Sequence, residues 1–578
     1  MSKKFRKLRI LWCGESSFLN TGYAIYAKEL LTRLYNTNKY KIAEMGCYAA
    51  ADAPQLAEVP WRFYPTLPLN DSENNIYNSN VANQFGEWRF NDICLDFRPD
   101  VVIDIRDWWM VEYQERSAFR RFFKWAIMPT VDSSPQQDQY INSYMNADAV
   151  FTYSEYGTRV LEENSNGHIK IIDTASPGAN FEDFKPVPNK NQHRQSFGFM
   201  DNVNIVGTVM RNQRRKLYPN LIASFRKMLD ENPEMKPNTY LYMHTAHPDL
   251  GWDIPYFLKK YNMSNHALFT YKCQSCGHFF PSFYQDVVST CTRCGNQSAH
   301  MPNTNNGVEP KELGAILNWF DVYVQYSVCE GFGMPQVEAA ACGVPIITVN
   351  YSAMESVGKA LKAEMVEPKH FFWDSPTHSE RAIPDDDELI SKIKKIIKMP
   401  KSLRSKKGMD AYMGVKKNFT WEKASQAWER YLDSVEPITH EETWDSKEQI
   451  HIPEESAPEW IQTNKQFVDW GVQNVWGEPD KLNSYVALRL LKDLNCGRTL
   501  NTGQNLYYNE NSYLETQQAF SPYNINNAME TLRSMCDYKN TWEERRVQLS
   551  QAENWDSIAR PEFLSRVKPD QNTTNAAD

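Results

Sequence analysis

Twice along this 578-residue chain, short apolar runs alternate with segments of helical periodicity, and no other feature constrains the fold as much. The first series opens with LRILWCG and passes into TGYAIYAKELLTRLY, where Ile25, Leu30, Leu31 and Leu34 recur at helical spacing. It continues through VVIDI, an aromatic and basic helix, KWAIMPTVD and DAVFTYS. The second begins near Asn204 with NIVGTVM, the helix NLIASFRKML, TYLYMHT and HALFTY. The helix PKELGAILNWF, DVYVQYS, the helix PQVEAAACG and VPIITV complete it. Strands separated by helices form parallel sheets wound by crossovers. The expectation is an α/β protein with two tandem Rossmann-like, doubly wound domains, residues 1–176 and 177–420. Their join lies near PGANFEDFKPV (177–187), and the helix WEKASQAWERYLDS (421–434) closes the body. No repeat at a solenoid period is present.

The remaining residues, 435–578, differ in kind. They hold 13 of the 63 basic and 23 of the 72 acidic side chains, so the net charge of −9 belongs to this tail and the body stands near +1. Pieces such as KLNSYVALRLLKDL (481–494) read as helical, and KPDQNTTNAAD at the end reads as disordered. The expectation is an acidic, mainly helical extension. A neutral body leaves a polyanionic partner open. No stretch reaches eighteen consecutive apolar residues, so no membrane partner is expected. The basic start runs directly into a strand pattern and does not read as a signal peptide.

Residues 271–296 read YKCQSCGHFFPSFYQDVVSTCTRCGN. Cys273/Cys276 and Cys291/Cys294 form two Cys-x-x-Cys pairs separated by fourteen residues, a spacing that holds tetrahedral zinc in a ribbon. The other seven cysteines are scattered, and scattered thiols beside a thiolate metal site suit a reducing cytoplasm. Phe279, Phe280, Phe283 and Tyr284 in the ribbon either stack nucleic-acid bases or pack around the metal.

The chemistry concentrates in CEGFGMPQVEAAACGVPII (329–347). Glu330 and Glu338 are separated by seven residues, with Gly331, Phe332 and Gly333 between them and a helix starting near Pro335. Glycines let a ligand approach the backbone, and free N–H groups at a helix start attract a diphosphate. A Glu before the loop can reach a sugar, and one inside the helix can accept from a ribose.

On these residues the chain resembles nucleotide-sugar-dependent glycosyltransferases of the GT-B fold, in the large retaining group marked by Glu-x7-Glu. GTVMRNQRRKLYPNLIASF (207–225) resembles that family's Arg-x4-Lys element, here Arg211 and Lys216, and ESSFLNTGYAIYAKELLTRL (15–34) its glycine loop. The resemblance covers residues 8–434 and implies an acceptor-side first domain and a donor-binding second domain. It implies a nucleoside-diphosphate sugar as co-substrate, with Glu338 on the ribose and Glu330 on the sugar hydroxyls. Arg211 and Lys216 would clamp the leaving diphosphate, and Asn20, Thr21 and Gly22 would approach the phosphates from the other domain. Such enzymes need no catalytic divalent metal, and four thiolates leave zinc no open position, so the zinc is expected to be structural. The ribbon, following a strand's carboxyl end, is expected to border the cleft. Asp132 stands where many relatives carry His; it either orients a hydroxyl or caps a turn. His244, at another strand's end, either touches the donor or is a satisfied loop histidine.

The order of NTGYA, VDSSP, MRNQRRK, the zinc insertion and CEGFGMPQVEAAACGVP most resembles bacteriophage-encoded members, which include enzymes acting on hydroxymethylated pyrimidines in DNA. RSAFRRFFKW (116–125) fits that acceptor if Arg116, Arg120, Arg121 and Lys124 share a helix face and neutralise phosphates of double-stranded DNA. The same pattern fits an ordinary solvated helix. Three functions follow: transfer to hydroxymethylated DNA, transfer to a polysaccharide, glycolipid or protein, or nucleic-acid binding on a degenerate fold without catalysis. The oligomeric state is not legible.

Overall fold

The computed structural model describes residues 6–437, apart from 118, 304 and 305, together with Gln466 and Trp470. The expected extension over 435–578 therefore lies almost wholly outside the described residues.

Seven strands build the first sheet: β1 (Leu8–Glu15), β2 (Tyr40–Cys47), β3 (Arg62–Pro65), β4 (Val101–Asp104), β5 (Lys124–Ile127), β6 (Ala149–Thr152) and β7 (Ile171–Thr174). Their order is β3-β2-β1-β4-β5-β6-β7, and every neighbouring pair is parallel. The order reverses between β1 and β4, which opens a crevice outside their carboxyl ends. The helix Gly22–Asn36 follows β1. Thr21 caps it by accepting a hydrogen bond from the Ala24 N–H (3.2 Å), and its buried stripe, from Ala24 to Leu34, packs on the sheet.

The second sheet holds β8 (Asn204–Val209), β9 (Thr239–His244), β10 (Ala267–Cys273), β11 (Phe279–Phe283), β12 (Val288–Thr290), β13 (Gln297–His300), β14 (Val322–Gln325), β15 (Ile346–Val349) and β16 (Glu364–Val366). Its parallel part runs β10-β9-β8-β14-β15-β16, and the order reverses between β8 and β14. The antiparallel strands β11, β12 and β13 belong to the cysteine ribbon and extend the β10 edge. A separate antiparallel hairpin, β17 (Pro368–Asp374) with β18 (Ser379–Pro384), has no counterpart in the sequence reading.

Both faces of each sheet are covered by apolar side chains, and one core cluster runs from Leu8 through Phe184 and Trp319 to Leu432. The helix Trp421–Ser434 makes that continuity. It leaves the second half of the chain and packs on the first, where Trp428 stacks on Phe151 (3.8 Å) and donates to the Tyr26 hydroxyl (2.9 Å).

One expected element does not form. RSAFRRFFKW is no basic helix: Arg120–Phe122 make a single 3-10 turn and Lys124 opens β5. Phe119, Phe122 and Phe123 are all buried, so the chain turns under the sheet to place three aromatics within five residues. Periodicity over so short a run does not separate a helix from a turn feeding a strand.

Candidate active site

The loops after β8 and β14 leave neighbouring strands at the point where the sheet order reverses. Backbone hydrogen bonds zip them together, Leu217 N–H to Tyr326 O (3.1 Å) and Val328 N–H to Arg215 O (3.0 Å). From the other side Asn212 exchanges two 2.8 Å hydrogen bonds with the Trp252 backbone, and the Trp252 indole donates to Lys216 O (2.7 Å). The first loop is thereby held against Glu330. Arg215 Nη1 donates to Glu330 Oε2 (2.6 Å). Lys216 Nζ, Gln325 Nε2 (2.7 Å) and Ser327 Oγ (2.5 Å) all donate to Oε1. Burial pushes this carboxyl up, but Arg215 and Lys216 outweigh it and hold the pKa at about 2. Glu330 is thus ionised, and both its oxygens are engaged by protein donors. The resemblance assigns this carboxylate to the donor-sugar hydroxyls.

Eight positions on, Glu338 has the opposite environment. It lies in the helix Met334–Ala341, which starts at Gly333 with Pro335 in its first turn. Its side chain is buried, yet among the described residues its carboxylate receives no hydrogen bond and forms no ion pair. Burial alone pushes its pKa up to about 7. Phe332, expected at the donor, instead packs its ring on Phe419 (5.6 Å) in the core. Gly331 faces the other domain: a Cβ there would lie 2.4 Å from Thr130 Cγ2, so only glycine permits this approach.

Across the crevice, Asn20 and Gly22 are exposed at the start of the first helix, and a Cβ at Gly22 would lie 4.0 Å from the Met334 sulfur. Thr21 donates to Glu15 at the end of β1. Asp132, past the end of β5, pairs with Arg381 of β18 (2.7 Å) and accepts from Ser133 Oγ (2.9 Å) and the Cys329 thiol (3.3 Å). It is thus neither simply a turn cap nor a free carboxylate. Asp107, past the end of β4, was not singled out by sequence. Burial, then the charge of Asp132, pushes its pKa up to about 7, while hydroxyls of Thr130 and Tyr23 hydrogen-bond to it. His244 ends β9 with Nδ1 2.9 Å from Thr270 Oγ1, and burial lowers its pKa to about 4, which keeps it neutral.

Other expected residues lie elsewhere. Arg211 turns outward to Asp249 (3.1 and 3.2 Å), and it is Arg215 that meets Glu330. Arg215 belongs to the run RRK at 214–216, whereas the resemblance to the Arg-x4-Lys element pointed to Arg211. Arg381 carries no motif at all. Arg116 is paired with Glu87 and Glu112 (both 2.8 Å), while Arg120 (3.0 Å) and Lys124 (3.1 Å) share Asp148, so these three do not form a free basic face. Arg121 lies in the 3-10 turn.

In the ribbon the four Sγ atoms lie within 4.8 Å of one another, with Cys273–Cys294 and Cys276–Cys291 at 3.7 Å. Ligands at about 2.3 Å from zinc in a tetrahedron are ~3.8 Å apart, so the set fits that ion. Each Cys-x-x-Cys turn closes the same way, Gly277 N–H to Cys273 O (2.9 Å) and Gly295 N–H to Cys291 O (3.0 Å), with both glycines at positive φ. Phe280 is buried and Phe279 stacks near Trp319, so both pack; Phe283 is exposed. Tyr284 packs edge-on against His247, in the loop that carries Asp249. Two strands, β10 and β9, separate the ribbon from β8.

Residues 304–408 match the family model described as glycosyl transferases group 1. No curated protein matches the chain. Among solved structures it is similar to a sucrose-phosphate synthase from Thermosynechococcus elongatus, at 16% identity over 74% of this chain and 99% of that one, with TM-score 0.56. It is also similar to a glycosyltransferase from Rickettsia africae (15%, 75% and 99%, TM-score 0.52). A third is Anabaena Alr3699/HepE in complex with UDP and glucose (13%, 74% and 100%, TM-score 0.51). The fold is GT-B-like α/β, and the matched segment on that fold supports a glycosyltransferase.

Proposed function

We propose that the protein is a retaining glycosyltransferase that moves a sugar from a nucleoside-diphosphate donor to a hydroxyl acceptor. The observation that carries this reading is the contrast between Glu330, saturated by cationic and polar donors, and Glu338, buried without a partner. A buried carboxylate without donors is costly, and the hydroxyls of a ribose relieve that cost. With the ribose on Glu338, the diphosphate lies at the amino end of Met334–Ala341, where unpaired N–H groups and the helix dipole favour anions. Glu330 holds Arg215 and Lys216 in place, and these cations take up the charge that develops on the departing diphosphate. Asn20, Thr21 and Gly22 cover the phosphates from the first domain. The acceptor hydroxyl attacks from the face that the diphosphate leaves, through an oxocarbenium-like state, and the leaving phosphate oxygen takes its proton.

UDP-sugars are the first donors to test. Motif order alone points to hydroxymethylated pyrimidine in duplex DNA, and Arg116, Arg120 and Lys124, being paired, lend that acceptor no support, so glycoside acceptors stand beside it. The four cysteines of the ribbon hold a structural zinc, and the ion supplies no chemistry to the transfer.

Calorimetry with a nucleotide-sugar panel, followed by mass spectrometry of hydroxymethylated DNA and glycoside acceptors, tests the reading. Glu338→Ala should abolish donor binding. Lys216→Ala should slow transfer at least a hundredfold, the scale of losing one preorganised charge donor. If no nucleotide sugar binds, or both variants behave as wild type, the site is wrong.

A further inference from the structure

The β17–β18 hairpin is the feature of the fold that the proposed site does not yet use. Strand β18 lies between the two domains. Ser379 Oγ meets Ser133 Oγ at 2.9 Å, the Glu380 N–H donates to Ser134 O (3.0 Å), and Arg381 pairs with Asp132 (2.7 Å). On its other side the Ala382 N–H donates to Val328 O (3.1 Å), two residues before Glu330. The partner strand β17 is exposed on both faces and carries three consecutive aromatics, Phe371 (45% exposed), Phe372 (39%) and Trp373 (64%). Exposed aromatics grouped in this way mark a contact surface. Register tells them apart. Phe372 stands opposite Arg381, and directly opposed residues of an antiparallel pair share a face, so Phe372 lies on the face that reaches Asp132. Phe371 and Trp373 take the other face, where Phe371 meets Tyr351 (5.2 Å).

The first domain carries an aromatic pair beside Asp107 and Asp132. Trp108 stacks on Tyr140 at 4.7 Å, directly after Asp107, and the charges of Asp107 and Asp132 both act on Tyr140. Aromatic surface from each domain beside two carboxylates suits an uncharged ring that offers an apolar face and several hydroxyls.

Resting on the glycosyltransferase reading, we infer that the hairpin 368–384 selects the acceptor, and that the acceptor presents a neutral, polyhydroxylated sugar ring between Phe372 and the Trp108–Tyr140 pair. Asp107 receives the attacking hydroxyl. In the transfer that hydroxyl oxygen bonds to the donor's anomeric carbon, the bond from that carbon to the phosphate oxygen breaks, and the proton passes to the phosphate.

The test uses the full chain with whichever of UDP-glucose, UDP-galactose, UDP-N-acetylglucosamine and GDP-mannose binds. Acceptors are maltose and p-nitrophenyl glycosides, glucose 6-phosphate, and hydroxymethylcytosine-containing duplex DNA. Transfer should favour the neutral glycosides. Phe372→Ala should raise their KM at least tenfold while kcat and donor Kd stay within twofold, with Phe372→Trp restoring KM. Asp107→Asn should lower kcat at least a hundredfold with donor Kd unchanged and the thermal midpoint not lowered. An unaltered KM in Phe372→Ala, preferred transfer to glucose 6-phosphate or to DNA, or donor binding without transfer to any glycoside would each overturn the inference while leaving the functional reading standing. Failure of the wild type to bind any nucleotide sugar overturns that reading, and this inference with it.

Discussion

Glu338 exposes a conflict between stability and function at the scale of one residue. Its carboxyl is buried without a donor, and burial raises its pKa from 4.5 to about 7. Because the folded value lies above the unfolded one, the group costs nothing below pH 4.5 and its full penalty above pH 7. A shift of this size corresponds to about 3 kcal/mol. Glu338→Gln should therefore raise the thermal midpoint at pH 8 and leave it unchanged at pH 4.5, while donor binding is lost at both. Scanning calorimetry at the two pH values checks this, and a midpoint that rises equally at both would rule it out. In the wild type, protonation competes with the ribose, so donor Kd should rise as pH falls below 7. The pair Glu330 and Glu338 was legible in the sequence because its spacing is fixed along one loop and one helix. That Arg215 meets Glu330 was not. It depends on how Asn212 and Trp252 turn the loop, and Trp252 lies some forty residues away in the chain.

Secondary structure elements show the same division between local and non-local information. Nine of the thirteen parallel strands among the described residues were legible as short, largely apolar runs, as Val101–Asp104 shows by being buried throughout. Strands β2, β3, β7 and β16 went unread; β3 and β16 are short and open on a charged residue, and β7 is only half-buried. The hairpin β17–β18 was not legible either, because β17 is exposed on both faces and gives no alternation to read. In the ribbon, the cysteine spacing identified the metal site, but only the pairing of β10 with β11 and β13 shows that it extends a sheet edge. That placement makes a prediction. Structural zinc in small fingers contributes on the order of 10 kcal/mol to folding. Chelation, or Cys276→Ser with Cys294→Ser, should thus unfold residues 273–300 alone. Hydrogen exchange should lose at least a hundredfold protection there and less than threefold in β8 and β14. A global unfolding transition on zinc removal would show instead that the ribbon nucleates the whole domain.

At the scale of the whole molecule, the two domains meet by more than one kind of contact. The helix Trp421–Ser434 ties them through buried aromatics, and Trp428 leaves no exposed surface. Its surface ion pairs, Arg33–Glu422 and Lys39–Asp433, contribute little beside this, since exposed pairs are each worth under about 1 kcal/mol. On the cleft side the approach is set by Gly331 against Thr130, with Tyr23 hydrogen-bonded to the same threonine (2.7 Å). A methyl group at 331 would overlap Thr130 Cγ2, and the hydrogen bond from Tyr23 to Thr130 Oγ1 opposes rotating that carbon away. Gly331→Ala should therefore hold the domains apart, enlarge the radius of gyration in solution scattering and slow transfer at least tenfold, while Glu338 still binds donor. Thr130→Ser removes the clashing carbon, keeps the hydroxyl that meets Tyr23, and leaves the nearest remaining atom, the residue-130 Cβ, at 3.7 Å. The double variant should then recover most of the lost rate, a coupling that two independent defects would not show. If the rate stays low while the compact shape returns, Gly331 acts on the reaction itself, and domain approach is not what limits it.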